Sequence, residues 1–282
     1  MNTTHTTPGN TIVVVKLGSS TLTCAGDPNH ALIGQLCDDL QELRAIGMHP
    51  VLVTSGAVQL GQCNVQSGTG VTTTYACQAA VGQIRLVAAF SEHLSKLGYS
   101  VAQILLKLED FRSAGSRAEI AAVVQAFFGS NSIPLINEND VTSFGGQFPS
   151  NDELSAELVA ALGAQRLIIF TDRPGVYEVD PRVDMGARLF DTISALDERL
   201  LVAASDLPTA TGRGGMKSKI HAAQIAAASG AVTVITCYDE ARKLSRIALD
   251  DRVGTWIVPT IGDKHSLQCR QLHLNQEKES PA

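Results

Sequence analysis

TIVVVKLGSST, residues 11–21, is the stretch whose reading decides the fold. Its β-branched run, Ile12 to Val15, reads as a parallel strand covered on both faces, because such strands are continuously apolar rather than alternating. The chain is expected to break at Lys16, with Leu17, Gly18, Ser19 and Ser20 forming a turn before any helix begins. A cation then stands at the carboxyl end of a central strand. Gly18 lets the backbone approach a ligand closely, while Ser19 or Ser20 can cap the next segment and leave amide groups directed at an anion. A phosphate suits such a turn. The competing reading is a lysine that merely snorkels from a strand end.

The rest of the chain must supply the layers around that strand. Its 282 residues, 44% of them hydrophobic, are enough for one large α/β domain or two small ones. Lys plus Arg number 22 and Asp plus Glu 28, so the formal charge is 22 − 28 = −6. That balance argues against a general nucleic-acid surface, and any anion site must be a local cluster of positive groups. The six cysteines contain no CxxC pair and no histidine completes a zinc site. Scattered reduced thiols fit a cytoplasmic protein. No apolar run approaches the roughly 18 residues of a membrane span, and the polar amino terminus has no signal-peptide core. Residues 1–10 and 260–282 are expected to be flexible tails around a domain spanning 11–259.

Leu32, Leu36, Leu40, Leu43 and Ile46 recur at helical spacing, which predicts a helix over 29–47. Val51–Val53 is a second strand, ending in the small-residue turn Thr54, Ser55, Gly56, Ala57. Ligands of open parallel sheets bind beyond the carboxyl ends of the strands, so two such turns at one edge gain meaning together. A helix over 75–97 carries Ala79, Ala80 and Gly82, which would allow close packing against the sheet. Strands follow at 101–106 and 133–136, separated by a helix over 117–128. The second of them ends in Asn137, Glu138, Asn139 and Asp140, groups suited to an ammonium or hydroxyl; a solvated turn is the alternative. Gly145 and Gly146 mark a hairpin or flap within 141–149.

Ser150 and Glu153 form a capping-box pattern opening a helix to Leu162. The cap does not require Asn151 or Asp152, which lie at the positive end of that helix. A strand at 167–170 ends at Thr171 and Asp172, and 194–204 looks helical. Residues 211–216 form a glycine-rich loop, followed by a helix over 217–229 with Gly230 as its C-cap. The loop is neither a Walker A motif nor GxGxxG. Lys217 and Lys219 nevertheless sit in a first helical turn against the macrodipole, which points to an anion there. A strand at 232–236, a helix at 240–248 and a strand at 255–258 complete the reading.

VVKLGSS, VTSGAV, INEND, SNDELSA, FTDRPGVY and GRGGMKSK, in this order, resemble the amino acid kinase family and, within it, the glutamate 5-kinase branch. The resemblance implies a three-layer αβα sandwich around a central, mainly parallel sheet, with ATP and the amino acid along its carboxyl edge. It implies ATP-dependent phosphorylation of the L-glutamate side-chain carboxylate, the first step of proline biosynthesis. Lys16 and Lys219 would hold the transferring phosphates and Asp152 would orient them. Ser55, Asp140 and Asn151 would bind glutamate. Thr171, Asp172, Arg213, Gly214, Gly215, Met216, Lys217, Ser218 and Lys219 would line the nucleotide, with magnesium carried mainly by phosphate oxygens.

Two positions depart from the family pattern: Ser150 stands where many bacterial members have aspartate, and Arg213 where they have threonine. The sequence also stops where many relatives add an RNA-binding-type PUA domain. Homo-oligomers, dimeric or tetrameric, and proline as a feedback inhibitor are further implications. A kinase of the same fold acting on N-acetylglutamate or aspartate, or a non-catalytic nucleotide-binding protein, are the alternatives.

Overall fold

The computed structural model describes residues 11–61, 71–143, 150–203, 215–239 and 244–259, with 71–73 described by their backbone alone. The opening run becomes β1 (Ile12–Leu17), every residue of which is buried. The strand thus continues past the break expected at Lys16 and includes that lysine. The one-turn helix α1 (Ser19–Leu22) follows, and its N-cap is Gly18 rather than a serine. A two-stranded hairpin, β2 (Thr23–Cys24) with β3 (Asp27–Pro28), then leads to α2 (His30–Ala45). The helical register expected there holds, and Asn29 caps it by accepting from the Leu32 N–H.

Next come β4 (His49–Val53), α3 (Ala57–Gly61), α4 (Val71–Lys96), β5 (Ser100–Leu106), α5 (Ala114–Ala126) and β6 (Ser132–Glu138). The second half holds α6 (Asn151–Leu162), β7 (Arg166–Thr171), β8 (Thr192–Ser194), α7 (Arg199–Ala203), α8 (Met216–Ala228), β9 (Val232–Cys237), α9 (Leu244–Ala248) and β10 (Thr255–Val258). Among the described residues, one eight-stranded sheet has the order β5-β6-β4-β1-β7-β9-β10-β8. β5 through β9 in that order run parallel, whereas β10 pairs antiparallel to β9 and parallel to β8. The expected three-layer, mainly parallel architecture is therefore present, with β1 at its middle.

Alternation along β1 divides the core. Val13, Val15 and Leu17 face α2 and α4, packing with Leu36, Leu40, Leu86 and Phe90. Val14 faces the other layer with Leu154, Leu158, Ile220 and Ala223 of α6 and α8. Lys16 shares the parity of Val14, so its side chain leaves the sheet toward the amino ends of α6 and α8.

Several local expectations are corrected. Asn137 and Glu138 lie within β6 rather than beyond it. Of the segment read as helical from Ser194, Ser194 itself ends the edge strand β8, and among its described residues only Arg199–Ala203 is helical. The small residues of α4 meet α3, not the sheet: a Cβ at Gly82 would overlap the Ala57 carbonyl oxygen. The flap around Gly145 and most of the glycine loop lie outside the described residues, as do both tails.

Candidate active site

The carboxyl ends of β1, β4, β6 and β7 and the amino ends of α6 and α8 meet at one edge of the sheet. Asp152, in the first turn of α6, is fully buried there. Lys16 Nζ lies 2.6 Å from its Oδ1, and Lys219 Nζ, from the first turn of α8, lies 3.3 Å from its Oδ2. Ser218 Oγ donates to Oδ2 at 2.6 Å and lies 2.9 Å from the Gly215 carbonyl oxygen. Lys16 and Lys219 are only 6% and 7% exposed, so these charges interact with little help from water.

Burial disfavours ionisation of Asp152, but the Lys16 and Lys219 ammonium groups outweigh it and hold the carboxyl well below the usual carboxylate range. Burial lowers the pKa of Lys16, Asp152 pulls it back up, and Lys219 pushes it further down. Among the described residues, two lysines share this one carboxylate beside two helix amino termini. That combination attracts a phosphate.

The remaining residues singled out in the sequence are distributed along the same edge. Asn151 opens α6 and donates to the Thr54 carbonyl at 3.0 Å and to Asn137 Oδ1 at 3.2 Å. Ser55 Oγ donates to the Leu17 carbonyl at 3.0 Å, tying the end of β4 to the end of β1. The turn then reverses at Gly56, whose φ of +100° disfavours any side chain. Asp140 accepts from the Tyr75 hydroxyl at 3.3 Å. Thr171 Oγ1 donates to Asp172 Oδ1 at 3.0 Å at the end of β7. Gly215 is the N-cap of α8 and Met216 its first residue, while Lys217 is exposed and takes no part in the lysine cluster. Arg213 and Gly214 lie outside the described residues.

The capping box expected at Ser150 does not form. Ser150 is the N-cap but its side chain makes no capping bond, and its Oγ is buried without a partner. Glu153 pairs instead with His221 Nδ1 of α8 at 3.0 Å. The sequence reading gave no role to Tyr75 or Gln83, both on α4, because their partners are distant in the chain. A cavity of about 220 Å³ between α4, β5 and the end of β6 is lined by Gln83, Gln103, Leu105, Glu138 and Asp140 among others.

A doubly wound sheet whose first strand and late helix each deliver a lysine to one buried aspartate at helix amino termini is suited to holding phosphate, and the chain belongs to the amino acid kinase family, whose profile matches residues 11–237. Within that family it is similar to glutamate 5-kinases. It is 37% identical over 254 residues to the glutamate 5-kinase of Marinomonas sp. (strain MWYL1), a region covering 89% of this chain and 68% of that protein. It is 35% identical over 262 residues to that of Thioalkalivibrio sulfidiphilus (strain HL-EbGR7), covering 92% and 69%. The crystal structure of UMP kinase from Bacillus anthracis superposes with a TM-score of 0.60 at 13% identity, over 88% of this chain and 96% of that one. The fold is therefore shared with a kinase of different substrate.

Proposed function

We propose that the protein transfers the γ-phosphoryl group of ATP to the side-chain carboxylate of L-glutamate, giving L-glutamyl 5-phosphate and ADP. The observation that carries this reading is the Lys16–Asp152–Lys219 cluster at the carboxyl edge, in a chain whose relatives bear that name. A side-chain carboxylate of ordinary pKa near 4.3 is already an anionic nucleophile at neutral pH, so no general base is required. One oxygen of that carboxylate bonds to the γ-phosphorus as the bond from phosphorus to the β,γ-bridging oxygen breaks and ADP departs. The barrier lies in bringing an anion against a triphosphate, so catalysis rests on alignment and on positive charge around the moving group.

Lys16 and Lys219 supply that charge, and Asp152 keeps both aimed at one place. Ser55, Asp140 and Asn151 would hold the amino acid. Thr171, Asp172 and the segment from Arg213 to Ser218 would hold the nucleotide. No group of three ligating side chains occurs among the described residues, and Asp152 is occupied by its lysines and Ser218. A magnesium ion would accordingly arrive on the nucleotide, held through phosphate oxygens and water.

The reading extends to the whole molecule. The domain would span 11–259, since β10 lies beyond the family match yet belongs to the same sheet. Self-association into dimers or tetramers is supported by β5, an edge strand presenting Leu105, beside an exposed Ile84 on α4. Proline would act as an inhibitory product-pathway signal. A cytoplasmic setting is supported by thiols outside any disulfide at Cys24, Cys37, Cys77 and Cys237. No described helix is long and apolar enough to cross a membrane.

The test is hydroxylamine trapping of the acyl phosphate with ATP and magnesium, supplying L-glutamate, N-acetylglutamate and L-aspartate in turn. Hydroxamate with glutamate alone is the expected result. Product only with another acid would transfer the assignment to that substrate, and none with any would leave a nucleotide-binding protein.

A further inference from the structure

Behind Asn151 lies a chain of buried amides that phosphate chemistry does not use. Asn151 Nδ2 donates to the Thr54 carbonyl, and a carbonyl only accepts, so Thr54 fixes which end of that amide is nitrogen. Asn137 is fixed in the same way: its Oδ1 accepts from the Glu138 backbone N–H at 2.9 Å, and an N–H only donates. The Asn137 Oδ1 also accepts from Asn151. Its Nδ2 is therefore turned to α4, where Gln83 Oε1 accepts at 2.8 Å. Asn137 is 1% and Gln83 8% exposed, so both amides are largely shielded from bulk water.

With both donors of Asn151 engaged, its Oδ1 is left buried without a partner. An acceptor in that state is unfavourable until a donor reaches it. It stands at the amino end of α6, one residue from Asp152. What it selects is a donor: the α-ammonium of an amino acid fits, and neither carboxylate does. Asp140, already bonded to Tyr75, offers a second acceptor on the same edge.

We propose that Gln83 is a positioning residue for the amino-acid substrate, which through Asn137 holds the Asn151 carbonyl ready for the α-ammonium group. The inference rests on the functional reading above and deepens it by naming the part of the substrate that is read. Removing the Gln83 acceptor strands a buried Asn137 NH2 group, which turns away to find another partner and releases Asn151 with it.

The experiment compares wild type with Gln83→Met, which keeps the side-chain length and removes the acceptor, and Gln83→Glu, which keeps an acceptor. Steady-state kinetics give KM for glutamate and for ATP, and glutarate, which lacks the α-ammonium, is measured as a competitive inhibitor against glutamate. Gln83→Met should raise KM for glutamate by about tenfold, the weight of one hydrogen bond. Its kcat, KM for ATP and inhibition constant for glutarate should each stay within about twofold of wild type, and Gln83→Glu should restore KM. Equal shifts for glutamate and glutarate, or no shift for either, overturn the proposal. If Gln83→Met does not give a native melting transition, Gln83→Leu takes its place under the same criteria. Failure of the functional reading is told apart by the unsubstituted protein, which would then give no hydroxamate from glutamate.

Discussion

Replacing Asp152 by Asn removes the carboxylate that Lys16 and Lys219 share, in a place almost closed to water. Removing one partner of a buried ion pair costs about 3–5 kcal/mol, and urea unfolding at pH 7 should show a loss of that order. The carboxyl titrates lower in the folded protein than its ordinary 3.8, so in acid the unfolded chain binds the extra proton. Its stabilisation is present above about pH 4 and vanishes as pH falls through the lower folded value. The gap between wild type and Asp152→Asn should therefore narrow below that pH; a gap independent of pH would contradict the assigned charge. Lys219→Ala is milder for the fold, because Asp152 keeps Lys16 and Ser218. Removing a preorganised cation should lower kcat by about 10²–10³ while the melting transition persists. Full activity in that variant would refute its role.

The packing of α3 on α4 decides where the turn at Ser55 and Gly56 sits. Gly82 lets the two helices touch backbone to backbone, and Gly61 does the same against Gln78. Gly82→Ala should force α3 outward and destabilise the protein by about 1–3 kcal/mol, read from chemical denaturation. Retained stability would mean that α3 can move at little cost. This contact was not legible in the sequence, which showed only that α4 is rich in small residues and not what they meet. The strands were legible, because Ile12–Val15, Leu167–Phe170 and Val232–Thr236 are apolar runs that only a covered sheet accommodates. β8 was not: its three residues precede a helix-like pattern, and pairing with β10 overrides local preference. In the site, the lysines and Asp152 were legible through motif order. The relay through Gln83 was not, since its hydrogen bond to Asn137 joins residues 54 apart. The capping box failed for a related reason, as Glu153 finds a partner on α8 instead.

The family profile ends at residue 237, yet the similarity to glutamate 5-kinases runs further and the sheet continues through β10, whose Trp256 is 3% exposed and is approached by the Arg166 and Arg252 guanidinium groups. That arrangement joins the late strand to β7 in the middle of the molecule. Trp256→Ala should cost about 3–5 kcal/mol and displace one cooperative transition. Splitting into two transitions, followed by circular dichroism, would instead mark the carboxyl end as a separate unit. The wild-type transition can also be followed by fluorescence, since the chain has a single tryptophan.

Lys16 enters the fold with the first strand, whereas Lys219 arrives 219 − 16 = 203 positions later. On the proposed role of these lysines, a chain leaving the ribosome carries the first of the pair for some two hundred positions before the second is made. Fragments cut between these points hold one lysine of the pair, so the proposed transfer requires a chain that extends past Lys219 and has folded.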